Sequence, residues 1–321
     1  MNIRYLAVVS SLVFISGGYV SAFANAAPSD SKATERPAEY RFHSVTSTAL
    51  SETLALKSGE INRFVFTRWA GPDLPVWVYL PDGIDLSRAP VLFMMHGNKR
   101  DPHRYLREWR EPAQKNGLIV VAPEFSQRDF PKSAGYNLGN VFRKETEGRQ
   151  DESIWSFSAI EPIFDRVKQA VGSQQTQYSI YGHSAGAQFV HRYLYYKPDA
   201  PVKQYIAANA GWYTRPDVAE VYPYGLAGAG ISEEMLKAAL SKNVLLLLGD
   251  KDNDPNHKSL RRSPEAMKQG PHRFARGLSY HEFGKQKADE YALPFGWRVK
   301  VVPGVAHSNG LMARAAASSV N

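Results

Sequence analysis

Five residues near the middle of the chain, Gly182-His183-Ser184-Ala185-Gly186, have the spacing of a nucleophilic serine on a tight turn. An apolar run over 178–181 precedes them, and a helix-forming run over 187–195 follows. A serine placed between a strand and a helix has a strained backbone that pushes its hydroxyl out of the sheet edge. The two glycines remove the Cβ atoms that would collide as strand and helix approach. The alternative is a tight turn without chemistry, but both flanks favour Ser184 as a nucleophile.

Two later loops carry the side chains that would activate such a serine. Residues 244–248 form a short continuous apolar run, typical of a parallel strand buried on both faces, and lead into residues 249–255, which hold three carboxylates. Residues 297–302 predict another strand, and His307 follows it. Because each loop starts at the carboxyl end of a strand, a carboxylate and a histidine can converge on the serine. The histidine would take the serine proton, and the carboxylate would fix the histidine tautomer and stabilise the imidazolium.

With serine, acid and histidine in this order, the chain resembles the α/β-hydrolases. The resemblance implies a strand followed by the pattern Gly-x-x-Asp, in which the aspartate is the acid. This pattern corresponds to Gly249 to Asp252. Asp252 is therefore the expected acid, with Asp250 as the second candidate and Asp254 as the third. The alternative role for an aspartate that is not the acid is helix capping or turn formation, which this residue type performs routinely.

The candidate histidine is chosen by its position. Of the nine histidines, His307 alone combines three features: it follows the acid strand, it lies just past the end of another strand, and it lies inside a glycine-containing loop. His257, His272 and His281 also follow the acid, but they lie in polar or helical stretches and are interpreted as solvated side chains.

An oxyanion site is expected from the early half of the sheet. The buried-strand run over 91–95 leads into His96-Gly97-Asn98. The resemblance implies that the residue after the His-Gly pair donates a backbone N–H to the developing oxyanion, together with the N–H that follows the serine. These donors are Asn98 and Ala185. One such donor is worth about 3–4 kcal/mol, because it is in place before the charge develops. His96 itself is interpreted as structural.

The start of the chain has the three parts of an export signal. Arg4 supplies the positive charge, residues 5–15 the apolar centre, and Ala24-Asn25-Ala26 a small-residue cleavage site. Residues 1–26 are therefore predicted to be a signal peptide. Residues 27–40, rich in Ala, Ser, Pro and charge, are predicted to be a disordered tail. Residues 41–321 are expected to form one domain in the periplasm or outside the cell, with no integral membrane segment.

Strand and helix patterns alternate after an antiparallel opening pair, which predicts an α/β-hydrolase fold: a mostly parallel central sheet with helices on both faces. Asp252 and His307 lie 55 positions apart, more than a simple strand–helix–strand connection needs. The stretch 253–277 within this span is expected to be a small lid or loop insertion, and the alternative is a surface excursion with an extra helix. The later strands are predicted at 91–95, 119–122, 178–181, 205–208, 244–248 and 298–302, and the helices at 102–116, 159–171, 185–195, 233–241, 279–291 and 310–319.

Composition adds weaker constraints. The chain has no cysteine, so its core must be stable without disulfides. Its formal net charge of +8 would suit acidic polymers or anionic envelope surfaces, but no long basic run occurs, and solubility is the simpler explanation. No CxxC, HExxH, calcium-loop or Walker pattern and no nucleic-acid-binding motif is found. No metal, cofactor or nucleic-acid partner is therefore expected.

The expected function is that of a secreted serine hydrolase, which cleaves small or polymeric carboxylic esters through an acyl-enzyme on Ser184. The export signal, the His-Gly loop and the small lid resemble polyhydroxybutyrate-depolymerase-like and feruloyl-esterase-like enzymes. A peptidase, a polyamide hydrolase or an acyltransferase would use the same residues. From another class, the alternative is a non-catalytic protein that binds an acidic polymer. The oligomeric state is left open.

Overall fold

The computed structural model describes residues 54–144 and 147–320. The predicted signal peptide, residues 1–26, and the predicted tail, residues 27–40, lie outside these ranges. Within them, no helix is both long enough and apolar enough to cross a membrane.

In the described residues, eight strands form one sheet. They are β1 (Ile61–Phe66), β2 (Leu74–Tyr79), β3 (Val91–Met95), β4 (Ile119–Pro123), β5 (Tyr178–His183), β6 (Val202–Ala208), β7 (Val244–Gly249) and β8 (Trp297–Val302). Their order across the sheet is β1-β2-β4-β3-β5-β6-β7-β8. The pairs β1–β2 and β2–β4 are antiparallel, and every other neighbouring pair is parallel.

Helices cover both faces of this sheet, which confirms the predicted fold class. They are α1 (Pro102–Asn116), α2 (Lys132–Gly135), α3 (Ile160–Val171), α4 (Ala185–Tyr196), α5 (Glu233–Ser241), α6 (Pro264–Lys268), α7 (Arg273–Glu290) and α8 (Asn309–Ala317), with short 3-10 helices at Glu152–Ile154 and Ser156–Ala159. Helices α1 and α8 pack on one face, whereas α3, α4, α5 and α7 pack on the other.

Strand β3 illustrates why the central strands are continuous apolar runs. Val91, Phe93 and Met95 contribute to the core on one face, and Leu92 and Met94 to the core on the other. Because successive side chains of a strand point to opposite faces, a strand covered by helices on both sides needs an apolar residue at every position. Strand β7 has the same pattern. The loop that follows it lies at the carboxyl edge of the sheet.

Helix α7 begins at Arg273, six residues before its predicted start at Ser279. His272 acts as its N-cap, and its side chain accepts a hydrogen bond from the Ala275 N–H at 3.2 Å. Histidine is not among the usual capping residues, so the sequence gives no clear start signal here. The stretch 253–277 thus contains α6 and the first turn of α7 as well as loop.

Candidate active site

Ser184 lies on the turn between β5 and α4, with backbone angles φ 59° and ψ −114°. A positive φ is uncommon for a residue with a side chain and marks a strained backbone. The Ser184 N–H donates to Ala208 O at 3.0 Å, which anchors the turn to the neighbouring strand β6. The side chain of Ser184 is partly exposed and lines a cleft.

Two glycines make this turn possible. A Cβ on Gly182 would collide with the backbone of Gly186, so strand and helix could not come as close as they do. A Cβ on Gly186 would collide with the backbone carbonyl of Met95 at the end of β3. The second glycine therefore brings the start of α4 against the strand that precedes Asn98. Ala185, as the first residue of α4, has an N–H with no partner inside the helix.

Asp252 and His307 meet at the carboxyl edge of the sheet. Asp252 follows β7 and is buried, with 3% of its side chain exposed. His307 follows β8, and its Nδ1 lies 2.6 Å from Asp252 Oδ2. This contact leaves Nε2 as the ring nitrogen available to other groups in the cleft. Within the described ranges Ser184 Oγ makes no hydrogen bond to His307, and such bonds often tighten only when substrate is bound.

The other two aspartates of this loop bind backbone. Asp250 Oδ1 accepts a hydrogen bond from the Gly304 N–H at 2.7 Å, across to the loop after β8. Asp254 Oδ1 accepts from the Asn256 N–H at 2.8 Å, which is an Asx turn. Of the three carboxylates, the structure brings only Asp252 to His307.

The predicted oxyanion residue Asn98 lies in a turn between β3 and α1, exposed on the wall of the same cleft. His96 at the start of this turn is buried, and its Nε2 accepts a hydrogen bond from the Phe125 N–H at 3.2 Å. Its Nδ1 lies 3.1 Å from Gly97 O, so the proton is on Nδ1. Burial, with the charge of Arg100 as a second cause, lowers the pKa of His96 to about 3. His96 is a neutral structural support, as its sequence context indicates.

The cleft has a volume of about 440 Å³. Asn98, Ser184 and His307 line it, and so do His257, Lys99 and Lys258. His257, interpreted from the sequence as a solvated side chain, is partly exposed, and its ring lies 5.8 Å from the His307 ring and forms part of the cleft wall. The sequence gives no signal for this position, since His257 lies in a polar loop far from any strand.

A second histidine, His183, packs against His307. The ring of His183, the residue before Ser184, lies 4.5 Å from the ring of His307. Its Nδ1 is 3.1 Å from the Tyr105 hydroxyl. Burial is the main cause that lowers the pKa of His183 well below its usual value, and the charge of His307 acts in the same direction. A neutral imidazole therefore packs against His307.

Arg273 is the second residue that sequence reasoning missed. Its Nη1 donates to Asp252 Oδ1 at 3.1 Å, and both side chains are almost fully buried. The sequence shows several arginines between residues 256 and 277, but no local pattern tells which of them is buried. In the part of the chain that the structure describes, no three His, Cys, Asp or Glu side chains are grouped to hold a metal ion.

This arrangement of strands and helices occurs in solved hydrolase structures. Poly(aspartic acid) hydrolase-1 from Sphingomonas sp. KT-1 is 44% identical, with a TM-score of 0.79 over 83% of this chain and 99% of that one. The chain belongs to the α/β-hydrolase superfamily.

Two further structures extend this comparison. A poly(3-hydroxybutyrate) depolymerase from Bordetella parapertussis is 34% identical, with a TM-score of 0.76 over 82% of this chain and 90% of that one. An S-formylglutathione hydrolase from Agrobacterium tumefaciens is 16% identical, with a TM-score of 0.53 over 82% and 97% of the two chains, and shares the fold alone. No protein-family model and no curated protein matches the chain. The predicted resemblance to polyhydroxybutyrate depolymerases is confirmed, and the two relatives above 30% identity support a hydrolase function for this chain.

Proposed function

We propose that this α/β-hydrolase is an exported serine hydrolase that cleaves carboxylic esters through Ser184, His307 and Asp252. The observation that carries the proposal is the 2.6 Å contact between His307 Nδ1 and Asp252 Oδ2, beside the cleft that Ser184 lines. A histidine fixed in this tautomer presents Nε2 as a base, which is what an unactivated serine hydroxyl needs to become a nucleophile.

In the first half of the reaction, Ser184 Oγ attacks the ester carbonyl carbon and its proton passes to His307 Nε2. The negative charge on the carbonyl oxygen is held by the N–H groups of Asn98 and Ala185. The Asp252 carboxylate stabilises the imidazolium that has formed. The tetrahedral intermediate then breaks its bond to the alcohol oxygen, His307 returns the proton to that oxygen, and an acyl-enzyme on Ser184 remains.

In the second half, water takes the place of the alcohol. His307 Nε2 accepts a proton from water as its oxygen attacks the acyl carbon, and the same two N–H groups hold the oxyanion. The bond to Ser184 Oγ then breaks, the serine recovers its proton from His307, and the carboxylic acid leaves. An acyltransferase would differ only in the nucleophile of this second half.

The test is covalent labelling with a fluorophosphonate probe, combined with turnover of esters of varied acyl length. The wild-type protein is expected to be labelled and active. Ser184→Ala is expected to fold normally and to lose labelling together with several powers of ten in turnover. Ser259→Ala, which removes another cleft hydroxyl, is the matched control and should still be labelled. A Ser184→Ala protein that still hydrolyses esters would rule out the serine mechanism, and a wild-type protein that binds acidic polymers without hydrolysis or labelling would favour a non-catalytic binding role.

An amide hydrolase that acts on an acidic polymer is the second candidate. It is favoured by the 44% identity to poly(aspartic acid) hydrolase-1, since poly(aspartic acid) is a polyamide that carries one carboxylate per unit. It is also favoured by Lys99 and Lys258, both exposed on the cleft wall. Neither ammonium group has a hydrogen-bond or ion-pair partner within residues 54–144 and 147–320, whereas Arg104 in the same wall pairs with Glu108. Two unpaired cations beside Ser184 would attract a polyanion.

The two candidates separate by substrate. Poly(aspartic acid) and a neutral ester are compared on the wild-type protein and on the double variant Lys99→Gln/Lys258→Gln. If the substrate is anionic, the double variant should raise KM for poly(aspartic acid) about tenfold, leave KM for the neutral ester unchanged, and weaken the salt dependence. Lys285→Gln, at an exposed position of α7 outside the cleft lining, is the control. Equal effects of the double variant on both substrates would remove the support that the lysines give to the acidic polymer.

Export is part of the proposal and has its own test. Its support is the charged, apolar and small-residue pattern over residues 1–26. Expression of the full chain in a Gram-negative host, followed by N-terminal sequencing of the secreted or periplasmic fraction, should give a mature chain that begins at Ala27. Activity confined to the cytoplasm with an uncleaved N-terminus would contradict export.

A further inference from the structure

Asp252 is held between two partners, of which only one belongs to the proposed triad. Oδ2 contacts His307 Nδ1 at 2.6 Å, and Oδ1 accepts a hydrogen bond from Arg273 Nη1 at 3.1 Å. Only 3% of the Asp252 side chain and 2% of the Arg273 side chain are exposed. A permanent cation thus contacts the oxygen of the carboxylate that His307 does not use.

The same guanidinium reaches the wall of the cleft. Arg273 Nη2 donates to Ser259 Oγ at 2.9 Å and lies 3.3 Å from His257 Nδ1. His257 and Ser259 both line the cleft with Ser184. One side chain at the start of α7 therefore joins the buried carboxylate to a loop that substrate would touch.

Two physical consequences follow for Asp252. Its buried negative charge is compensated, and a buried carboxylate without a partner would be strongly unfavourable. Its orientation is also fixed, because a guanidinium nitrogen on Oδ1 leaves Oδ2 directed at His307. The Phe274 N–H, which donates to Asp252 O at 3.1 Å, holds the backbone at the same place.

We infer that Arg273 is a positioning residue for the histidine base: it orients Asp252 and weakens the negative field that Asp252 exerts on His307. This inference rests on the proposed function. The charged and titratable groups that interact with Arg273 are Asp252, His257 and His183 on the cleft side and Arg276 one turn along α7. Asp252, His183 and His257 are also the groups that interact with His307. Among them Asp252 carries the one negative charge, so removal of the arginine leaves that charge acting fully on His307.

The direction of the pH effect follows from this charge balance. A stronger negative field stabilises the imidazolium, so the histidine loses its proton only at a higher pH. Because the base must be neutral to accept the serine proton, the acidic limb of kcat/KM moves upward in pH. Arg273→Gln is expected to move this limb by about one pH unit and to lower kcat by about 10- to 100-fold through misorientation of Asp252.

Arg276→Gln is the matched control. Arg276 lies on the same helix, is fully buried, and donates to the backbone oxygens of Gly211, Gly270 and Arg261. Its substitution should destabilise the protein, as Arg273→Gln will, yet leave the acidic limb in place. Both variants are measured at a temperature where circular dichroism shows them folded. An equal shift of the limb in both variants would overturn the inference.

Arg273→Lys keeps the experiment decisive if Arg273→Gln does not fold. A lysine retains the buried positive charge but cannot contact Asp252 and Ser259 at once with a planar fork. The acidic limb should then stay near its wild-type position while kcat falls about tenfold. A wild-type kcat in Arg273→Lys would overturn the orienting role.

Asp252→Asn separates this inference from the proposed function. If Arg273 acts through the carboxylate, adding Arg273→Gln to Asp252→Asn should lower kcat little further, although each change alone is costly. If the two losses multiply instead, Arg273 acts elsewhere and the inference fails while the triad stands. An Asp252→Asn protein with wild-type turnover would contradict the triad itself.

Discussion

On one side of Ser184 the turn at residues 96–100 rests on aromatic rings, whereas on the other side Asp252 and His307 depend on buried charge. The first region, the aromatic wall, consists of that turn with Phe125 and Tyr136; the second, the charged wall, consists of Asp252, Arg273 and His307. The Tyr136 ring stacks on His96 at 4.5 Å, and its hydroxyl donates to His96 O at 2.7 Å. The charged wall is joined by an ion pair instead.

The two walls come from different connections of the sheet. The connection between β4 and α3 contains the buried aromatic residues Phe125 and Tyr136. The loop after β7 contains Asp252, and Arg273 is the first residue of α7. The aromatic wall also holds the Arg100 guanidinium, which lies over the Tyr136 ring without a carboxylate partner among the described residues, and packing of this kind contributes mainly to the free energy of unfolding. A buried charge pair contributes little net stability but sets geometry and local field. Changes in the aromatic wall should therefore cost stability, and changes in the charged wall should cost turnover.

The largest expected effect lies in the charged wall. Asp252→Asn should lower kcat by about 10⁴-fold, because an amide at this place favours the wrong imidazole tautomer. Asp250→Asn is the matched control two residues earlier and should change kcat only a few-fold, since Asp250 binds the Gly304 N–H. Steady-state turnover of one ester by the three proteins checks this. A crippling Asp250→Asn would show that the Gly-x-x-Asp register is misplaced.

The positions of these residues were predictable because they depend on local patterns. Each follows a strand of the sheet, which for Asp252 is a continuous apolar run, and parallel strands bring their carboxyl ends to one edge of the sheet. The fold class is confirmed for the same reason. The catalytic roles of Ser184, Asp252 and His307 stay predictions.

The positions of Arg273 and His257 were not predictable from the sequence. Both side chains take their place through contacts that cross from α7 to two separate loops, with no periodicity or spacing to reveal them. Helix α7 starts six residues before its predicted start and has a histidine as its N-cap, so the sequence does not indicate that Arg273 begins a helix. Long-range polar contacts of this kind need the assembled fold.

The second prediction concerns the aromatic wall. Phe125 is fully buried, and its ring contacts those of Phe130, Tyr136 and Phe189. Phe125→Ala should lower the free energy of unfolding by about 3–5 kcal/mol, from lost burial and the remaining cavity. Urea denaturation measures this. In the folded protein kcat should change only a few-fold, because the Phe125 backbone still binds His96 and Arg100. A loss of kcat comparable to that of Asp252→Asn would break the division between the walls.

A smaller effect is expected from one hydroxyl in this wall. Tyr136→Phe keeps the ring but leaves His96 O without its donor, which should cost about 1–3 kcal/mol of stability. Tyr193→Phe is the matched control, since its hydroxyl is equally buried and bonds the Tyr178 hydroxyl at 2.7 Å. Both variants should lose stability, but only Tyr136→Phe should also lower kcat/KM, because only that hydroxyl supports the turn that carries Asn98. Equal kcat/KM in the two variants would show that the Tyr136 hydroxyl does not affect catalysis through the turn that carries Asn98.

The smallest effect of a single group is the share of one buried histidine in the pH dependence of stability. The pKa of His96 is about 3 in the folded protein and near 6.5 when unfolded, mainly because of burial and then the charge of Arg100. Between these values the unfolded chain binds a proton that the folded chain does not. The contribution of His96 is therefore complete above pH 6.5 and is lost as the pH falls toward 3. Burial also lowers the pKa values of His183 and His191 well below the usual range, so they act in the same direction.

The measurement is the free energy of unfolding between pH 6.5 and 5, above the range where most carboxylates titrate. Burial raises the pKa values of Glu161 and Glu220, so the wild-type protein and the variants are compared over the same window. Each buried neutral histidine should contribute a slope of about 1.4 kcal/mol per pH unit. His96→Gln should lower the stability at neutral pH, because the Phe125 N–H loses its acceptor, yet reduce the slope by about one histidine's share. His281→Gln, at a partly exposed position on α7, should leave the slope unchanged. If His96→Gln has the wild-type slope, His96 takes up its proton in the folded state, and the aromatic wall would be as sensitive to charge as the wall that faces it.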